Sequence, residues 1–173
     1  MAFKTPNYDP QKAHEYYEKH KKLKGRKKTS TQQREQLAYA SAQLRKQQKN
    51  SNAKDREKIN DIKQQQLEQI REAKKQQKEQ LVNQARQKIE QLKEQYKNAS
   101  PEQKEAMREK ISKTVLNIQE STKEKVGNIA DKAAAQSEKV RKDASQKIKA
   151  ATAKNKANYE KAMDTVRKDI TGA

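Results

Sequence analysis

The sequence predicts an all-α protein: a short N-terminal helix, then two long helices in an antiparallel helical hairpin or coiled coil, with an extended rod kinked at Pro101 as the alternative. Three observations lead there. Lys, Gln, Glu and Ala, all good helix formers, dominate a 173-residue chain that has only three glycines and three prolines to interrupt it. Apolar residues make up 30% and charged residues 38%, which is too little hydrocarbon for a compact core and suits long helices paired along thin seams. The third is an eleven-residue beat in the C-terminal half. Met107, Ile118, Ile129, Val140, Ala151 and Ala162 form one track; Ile111, Thr122, Ala133, Ala144, Asn155 and Val166 a second; Val115, Val126, Ser137, Ile148, Tyr159 and Ile170 a third. None of these positions is charged, an outcome that chance would give about twice in ten thousand trials at this charge density. Three turns per eleven residues is about 3.67 residues per turn, so the stripe stays on one face of a nearly straight or slightly right-handed helix.

The elements follow in order. Residues 1–9 read as an extended arm, because the residue before each proline is pushed out of the helical region. Asp9 followed by Pro10 is a helix start, a capping carboxylate with proline at the first helical position. The spacing of Ala13, Tyr16, Tyr17, His20 and Leu23 predicts a short helix over 10–24, stopped by Gly25 and followed by a basic linker. Together residues 1–30 form a basic, aromatic arm. A second start near Ser30 or Thr31 opens long helix 1 over 31–98, with one soft patch, KNSNAK, at 49–54. Its apolar positions include Leu37, Leu44, Ile59, Ile62, Leu67, Ile70, Leu81, Ala85, Ile89, Leu92 and Tyr96, and the eleven-residue step reappears in Ile59, Ile70, Leu81 and Leu92. Lys63, Lys74 and Lys78 interrupt the companion tracks.

Residues 99–101 are the turn or kink. Ser100 caps, Pro101 takes the first helical position, Glu102 suits the positive helix end and Gln103 completes a capping box, so long helix 2 runs over 101–170. Two helices of matched length favour folding back. Mirrored about the turn, Leu92 falls level with the Arg108 region, Leu81 with Gln119, Ile70 with Ala130 and Ile59 with Arg141, as registers and not as contacts. The helix-pairing residues are therefore Ile59, Ile70, Leu81, Leu92, Ile111, Val115, Ile118, Ile129, Val140 and Ile148. Gly127 costs about 1 kcal/mol relative to Ala in mid-helix and marks a bend. Ordering a residue costs about 1–2 kcal/mol, whereas a fully buried Leu or Ile contributes roughly 1.5–3 kcal/mol. A lone two-helix seam is then marginal, and self-association or docking in a larger assembly is expected.

Formal charge is +19 and is spread along the chain, +6 over 1–30, +7 over 31–99 and +6 over 100–173. Such a field attracts nucleic acid, acidic protein surfaces or anionic lipid. The densest recognition signal is DPQKAHEYYEKHKKLKGRKK at 9–28, where Lys19, Lys21, Lys22, Lys24, Arg26, Lys27 and Lys28 supply cations for an anionic partner. Tyr16, Tyr17, His20 and Leu23 stack on that partner or dock the helix on a protein surface. No reaction is named. The two histidines, six apart, lie on different helix faces, there is no cysteine, and no glycine-rich phosphate loop or metal-ligand spacing occurs, so neither enzyme activity nor a cofactor or metal is expected. The acids alternate with lysines as solvent-face ion pairs do, as in Glu68 and Glu72 against Arg71 and Lys75. No apolar run approaches the about 20 residues of a membrane span, and no signal peptide opens the chain, so a soluble protein made in the cytoplasm and not exported by the usual route is expected.

The segment DPQKAHEYYEKHKKLKGRKK with the Lys/Gln/Glu/Ala helix behind it resembles small Lys-rich proteins encoded in tailed-phage and prophage genomes near virion-assembly genes. That resemblance, specific over about twenty residues, implies a virion or head-assembly role, with the virion as a further location, and carries no catalytic residues. The C-terminal stretch STKEKVGNIADKAAAQSEKV resembles the amphipathic repeats of late-embryogenesis-abundant stress proteins. The leading expectation is a self-associating structural protein that docks on nucleic acid or an acidic protein surface in a phage particle. Two alternatives stand beside it: a nucleic-acid-binding regulator or inhibitor of a host DNA-handling enzyme, and a stress-type or lipid-surface helix protein.

Overall fold

A computed structural model describes residues 9–19 and 31–172 as three helices, α1 (Pro10–Lys19), α2 (Thr31–Asn98) and α3 (Pro101–Thr171). No strand occurs among the described residues. The two long helices lie against each other as an antiparallel hairpin. The kinked-rod alternative is excluded, since the Gln33 side chain donates to the Ile170 carbonyl at 3.1 Å. The expected end of the first helix, residues 20–24, lies outside the described residues.

Local signals set the helix ends. The Asp9 carboxylate accepts from the backbone N–H of Gln11 at 3.1 Å and of Lys12 at 3.3 Å, so two donors that α1 cannot satisfy internally are capped. At the turn the capping box is reciprocal: Gln103 N–H donates to Ser100 Oγ at 3.4 Å, and Ser100 N–H donates to Gln103 Oε1 at 3.2 Å. Gly172 ends α3 with φ 66°, its N–H donating to the Lys168 carbonyl at 2.8 Å, a left-handed cap that glycine adopts without strain. The patch at 49–54 stays helical, and α3 continues through Gly127.

The chain divides into two compact units. The first contains α1, α2 as far as Asp61 and α3 from Ala144. Its core is Ala40, Leu44, Ala162, Met163 and Val166, with Leu37, Tyr159 and Ile170 packed against it. Leu44 is the one large side chain fully buried among the described residues. The second unit runs from Ile62 to Asp143 and contains the turn. Leu67 and Ala133 are its buried apolar residues, and the ammonium of Lys104 lies over the Tyr96 ring at 5.7 Å, joining α3 to α2 beside the turn.

Every position of the three eleven-residue tracks is buried or half-buried. Polar members are satisfied in place. Thr122 returns its hydroxyl to the Ile118 carbonyl at 2.7 Å. Asn155, 5% exposed, donates its amide to Asn52 Oδ1 and Asp55 Oδ2, both at 2.9 Å. The mirrored register holds beside the turn, where Lys104 lies over Tyr96, at Leu81, which lines a hollow with Ile118 and Thr122 on either side of Gln119, and at Ser41, which meets Tyr159. It is offset around the 49–54 patch, where Asn155 reaches Asn52 and Asp55 and Ile59 lines a hollow with Ala151 and Asn155.

Candidate functional site

The region with most recognition chemistry in sequence is α1, and it meets α2 of the same chain. Ala13 is fully buried, and Tyr16 and Tyr17 are half-buried. His14 Nδ1 meets Glu35 Oε1 of α2 at 3.2 Å. Tyr16 lies close enough to Arg45 of α2 to act on its charge. Lys19 is exposed in the last turn of α1, where a cation suits the negative helix end. Lys21, Lys22, Lys24, Arg26, Lys27, Lys28, His20 and Leu23 lie outside the described residues.

Behind α1 a polar cluster links α2 to α3. Arg45 Nε donates to the Tyr159 phenol oxygen at 3.3 Å, and the phenol and the Ser41 hydroxyl share a hydrogen bond of 3.2 Å. Burial pushes the Tyr159 phenol up, but the hydrogen bonds of Ser41 and Arg45 and the charges of Arg45 and Arg167 outweigh it, leaving the group below its ordinary range. The hydrogen bond to Tyr159 raises Arg45 further, so the guanidinium stays charged.

The ten helix-pairing residues are all half-buried, Ile59 and Ile148 in the first unit and the other eight in the second. None is fully buried. The buried apolar side chains of the first unit's seam are instead Ala40, Leu44, Ala162, Met163 and Val166, with Leu44 alone among the large ones fully buried. Met163 lies off the tracks, so periodicity gave no signal for it. The Asn155 pair with the 49–54 patch was also hidden, although an amide among stripe residues does call for a polar partner.

Outside the seam the surface is solvated charge. Glu109 pairs with Lys113 at 3.3 Å and Glu138 with Lys142 at 3.0 Å. The Lys142 hydrogen bond and charge hold the Glu138 carboxyl below its usual range. The pairing expected of Glu68 and Glu72 with Arg71 and Lys75 does not form; these side chains extend separately into solvent among the described residues. A hollow of about 670 Å3 beside the turn is lined by amides, Ala99 and Met107, with Glu94 as its one charged group. That lining offers no acid and base as a pair. Among the described residues no three His, Cys, Asp or Glu side chains gather as metal ligands, and no helix is long and apolar enough to cross a membrane. No protein-family model matches the sequence, and neither a curated protein nor a solved structure does.

Proposed function

We propose that the chain is a non-enzymatic structural protein, a basic helical hairpin that self-associates or joins a larger assembly and docks on an anionic partner, nucleic acid or an acidic protein surface. The N-terminal resemblance is what suggests a phage particle or its assembly as the setting for that role. One observation carries the reading: among the described residues the apolar side chains close on the hairpin seam while most of the lysines and arginines are exposed outside it. A lipid-surface role gains less, because large exposed apolar residues among those described are confined to Ile62 and Leu116, and insertion needs a broad apolar face.

The test is binding of the full chain to duplex DNA, to polyglutamate and to phosphatidylglycerol vesicles, measured from about 50 to about 200 mM salt. Salt-sensitive binding to DNA or polyglutamate is expected. Indifference to all three polyanions rejects the reading. Deleting residues 1–30 should weaken docking while α2 and α3 stay helical by circular dichroism; unchanged binding removes the arm from the docking surface.

A further inference from the structure

In the first unit, α3 carries a charge pattern that the hairpin does not use. Between positions 144 and 159 it has four lysines, Lys147, Lys149, Lys154 and Lys156, and no carboxylate. The seam takes Ala144, Ile148, Ala151, Asn155 and Tyr159, which are buried or half-buried, and all four lysines are exposed. Helical spacing sets Lys147 and Lys154 along one flank of the outward face and Lys149 and Lys156 along the other, about 10.5 Å apart on each flank. Among the described residues none of the four is in an ion pair. The first flank extends onto α2, whose Lys58 lines a hollow of about 280 Å3 with Lys154. Asp55, the acid of that hollow, is engaged by the Asn155 amide at 2.9 Å.

We propose that this face docks on duplex nucleic acid, α3 lying in the major groove with Lys147 and Lys154 on the phosphates of one strand and Lys149 and Lys156 on those of the other. The inference rests on the reading of the chain as a protein with an anionic partner and names that partner and its site. The carrying observation is charge complementarity: two unbalanced rows of cations on opposite flanks of one helix match two rows of phosphates. A groove about 12 Å wide admits a helix about 10–12 Å across. An acidic protein must be built to offer two such rows, whereas a duplex offers them everywhere. An anionic bilayer matches less well, since Gln146, Ala150, Ala153 and Ala157 along the middle of the face give nothing bulky to insert. Gln146 alone among these can read a base edge, so sequence preference is weak.

The experiment uses the full chain and a fluorescent duplex of mixed sequence, with affinity followed against salt. The variant Lys147→Gln, Lys149→Gln, Lys154→Gln, Lys156→Gln is compared with Lys110→Gln, Lys123→Gln, Lys125→Gln, Lys132→Gln, which removes the same charge elsewhere on α3. Glutamine is a good helix former and all eight sites are exposed, so both variants keep their helicity, which circular dichroism checks. The first variant should lower the steepness of log affinity against log salt by about 3–4 and weaken binding on the order of a hundredfold near 0.1 M salt, while the control changes it by less than about fivefold. Acetylation of the unmodified chain should show Lys147, Lys149, Lys154 and Lys156 protected by the duplex. Equal losses in the two variants, or no protection, overturn the site and leave the anionic-partner reading standing. Face-dependent binding to phosphatidylglycerol vesicles or polyglutamate without binding to the duplex overturns the choice of partner. Failure to bind any of the three overturns both.

Discussion

Asn155 sits where the eleven-residue pattern otherwise places apolar side chains, and its amide spans to two acceptors on α2. Removing a buried donor that holds two partners should cost about 1–2 kcal/mol, so Asn155→Ala is expected to lower the unfolding free energy by that amount, read from the shift of the denaturation midpoint. Combining it with Asp55→Ala should recover part of the loss, and strict additivity would show that the pair is not coupled. Leu44 is the opposite case, a fully buried apolar anchor. Leu44→Ala should cost about 2–5 kcal/mol, well above the same change at half-buried Leu81 or Leu92. For Tyr159 the sign matters. Its folded-state pKa lies below the unfolded value near 10, so ionisation linkage adds stability above that unfolded value and loses it as pH falls through the folded one. At neutral pH the linkage contributes nothing, and Tyr159→Phe there reports only the lost bonds to Ser41 and Arg45, about 1 kcal/mol by thermal melting. These three residues were only partly legible in sequence: the tracks named Asn155 and Tyr159 as seam positions, but their polar partners are a hundred or more positions away.

At the scale of the element, the caps were the most legible feature, because capping chemistry is local: Asp9, Ser100 and Gln103 act within three residues of themselves. Ser100→Ala should cost about 1 kcal/mol and loosen the turn, seen as faster amide exchange at the start of α3. The stop at Gly172 was missed, although a glycine after a lysine-bearing last turn is its usual sign. The seam register was legible in part: a mirror about the turn pairs Ser41 with Tyr159, as found, but does not foresee the reach of Asn155 to Asn52 and Asp55. Gly127 offers a clean substitution. A Cβ there would meet nothing within 4 Å, so Gly127→Ala should raise stability by about 1 kcal/mol, and a destabilised variant would show that the glycine has a structural purpose.

For the whole molecule, most seam residues are half-buried and one large side chain is fully buried among those described. Each therefore delivers only part of the roughly 1.5–3 kcal/mol that complete burial gives. Helicity is expected to rise with protein concentration between about 1 and about 100 µM, in step with the sedimenting mass; a helical signal and mass that ignore dilution would refute self-association. Composition made the thinness of the seam legible, but not whether a further surface covers it, because half-buried tracks look alike in sequence whether one helix or two cover them. The position of the core in the chain has a kinetic consequence. Ser41 and Tyr159 are 118 positions apart and Gln33 and Ile170 are 137 apart, and closing loops of that length costs about 4 kcal/mol in chain entropy before any contact forms. During synthesis, Leu44 thus leaves the ribosome more than a hundred residues ahead of Met163 and Val166, and the best-packed region of the protein is among the last to assemble.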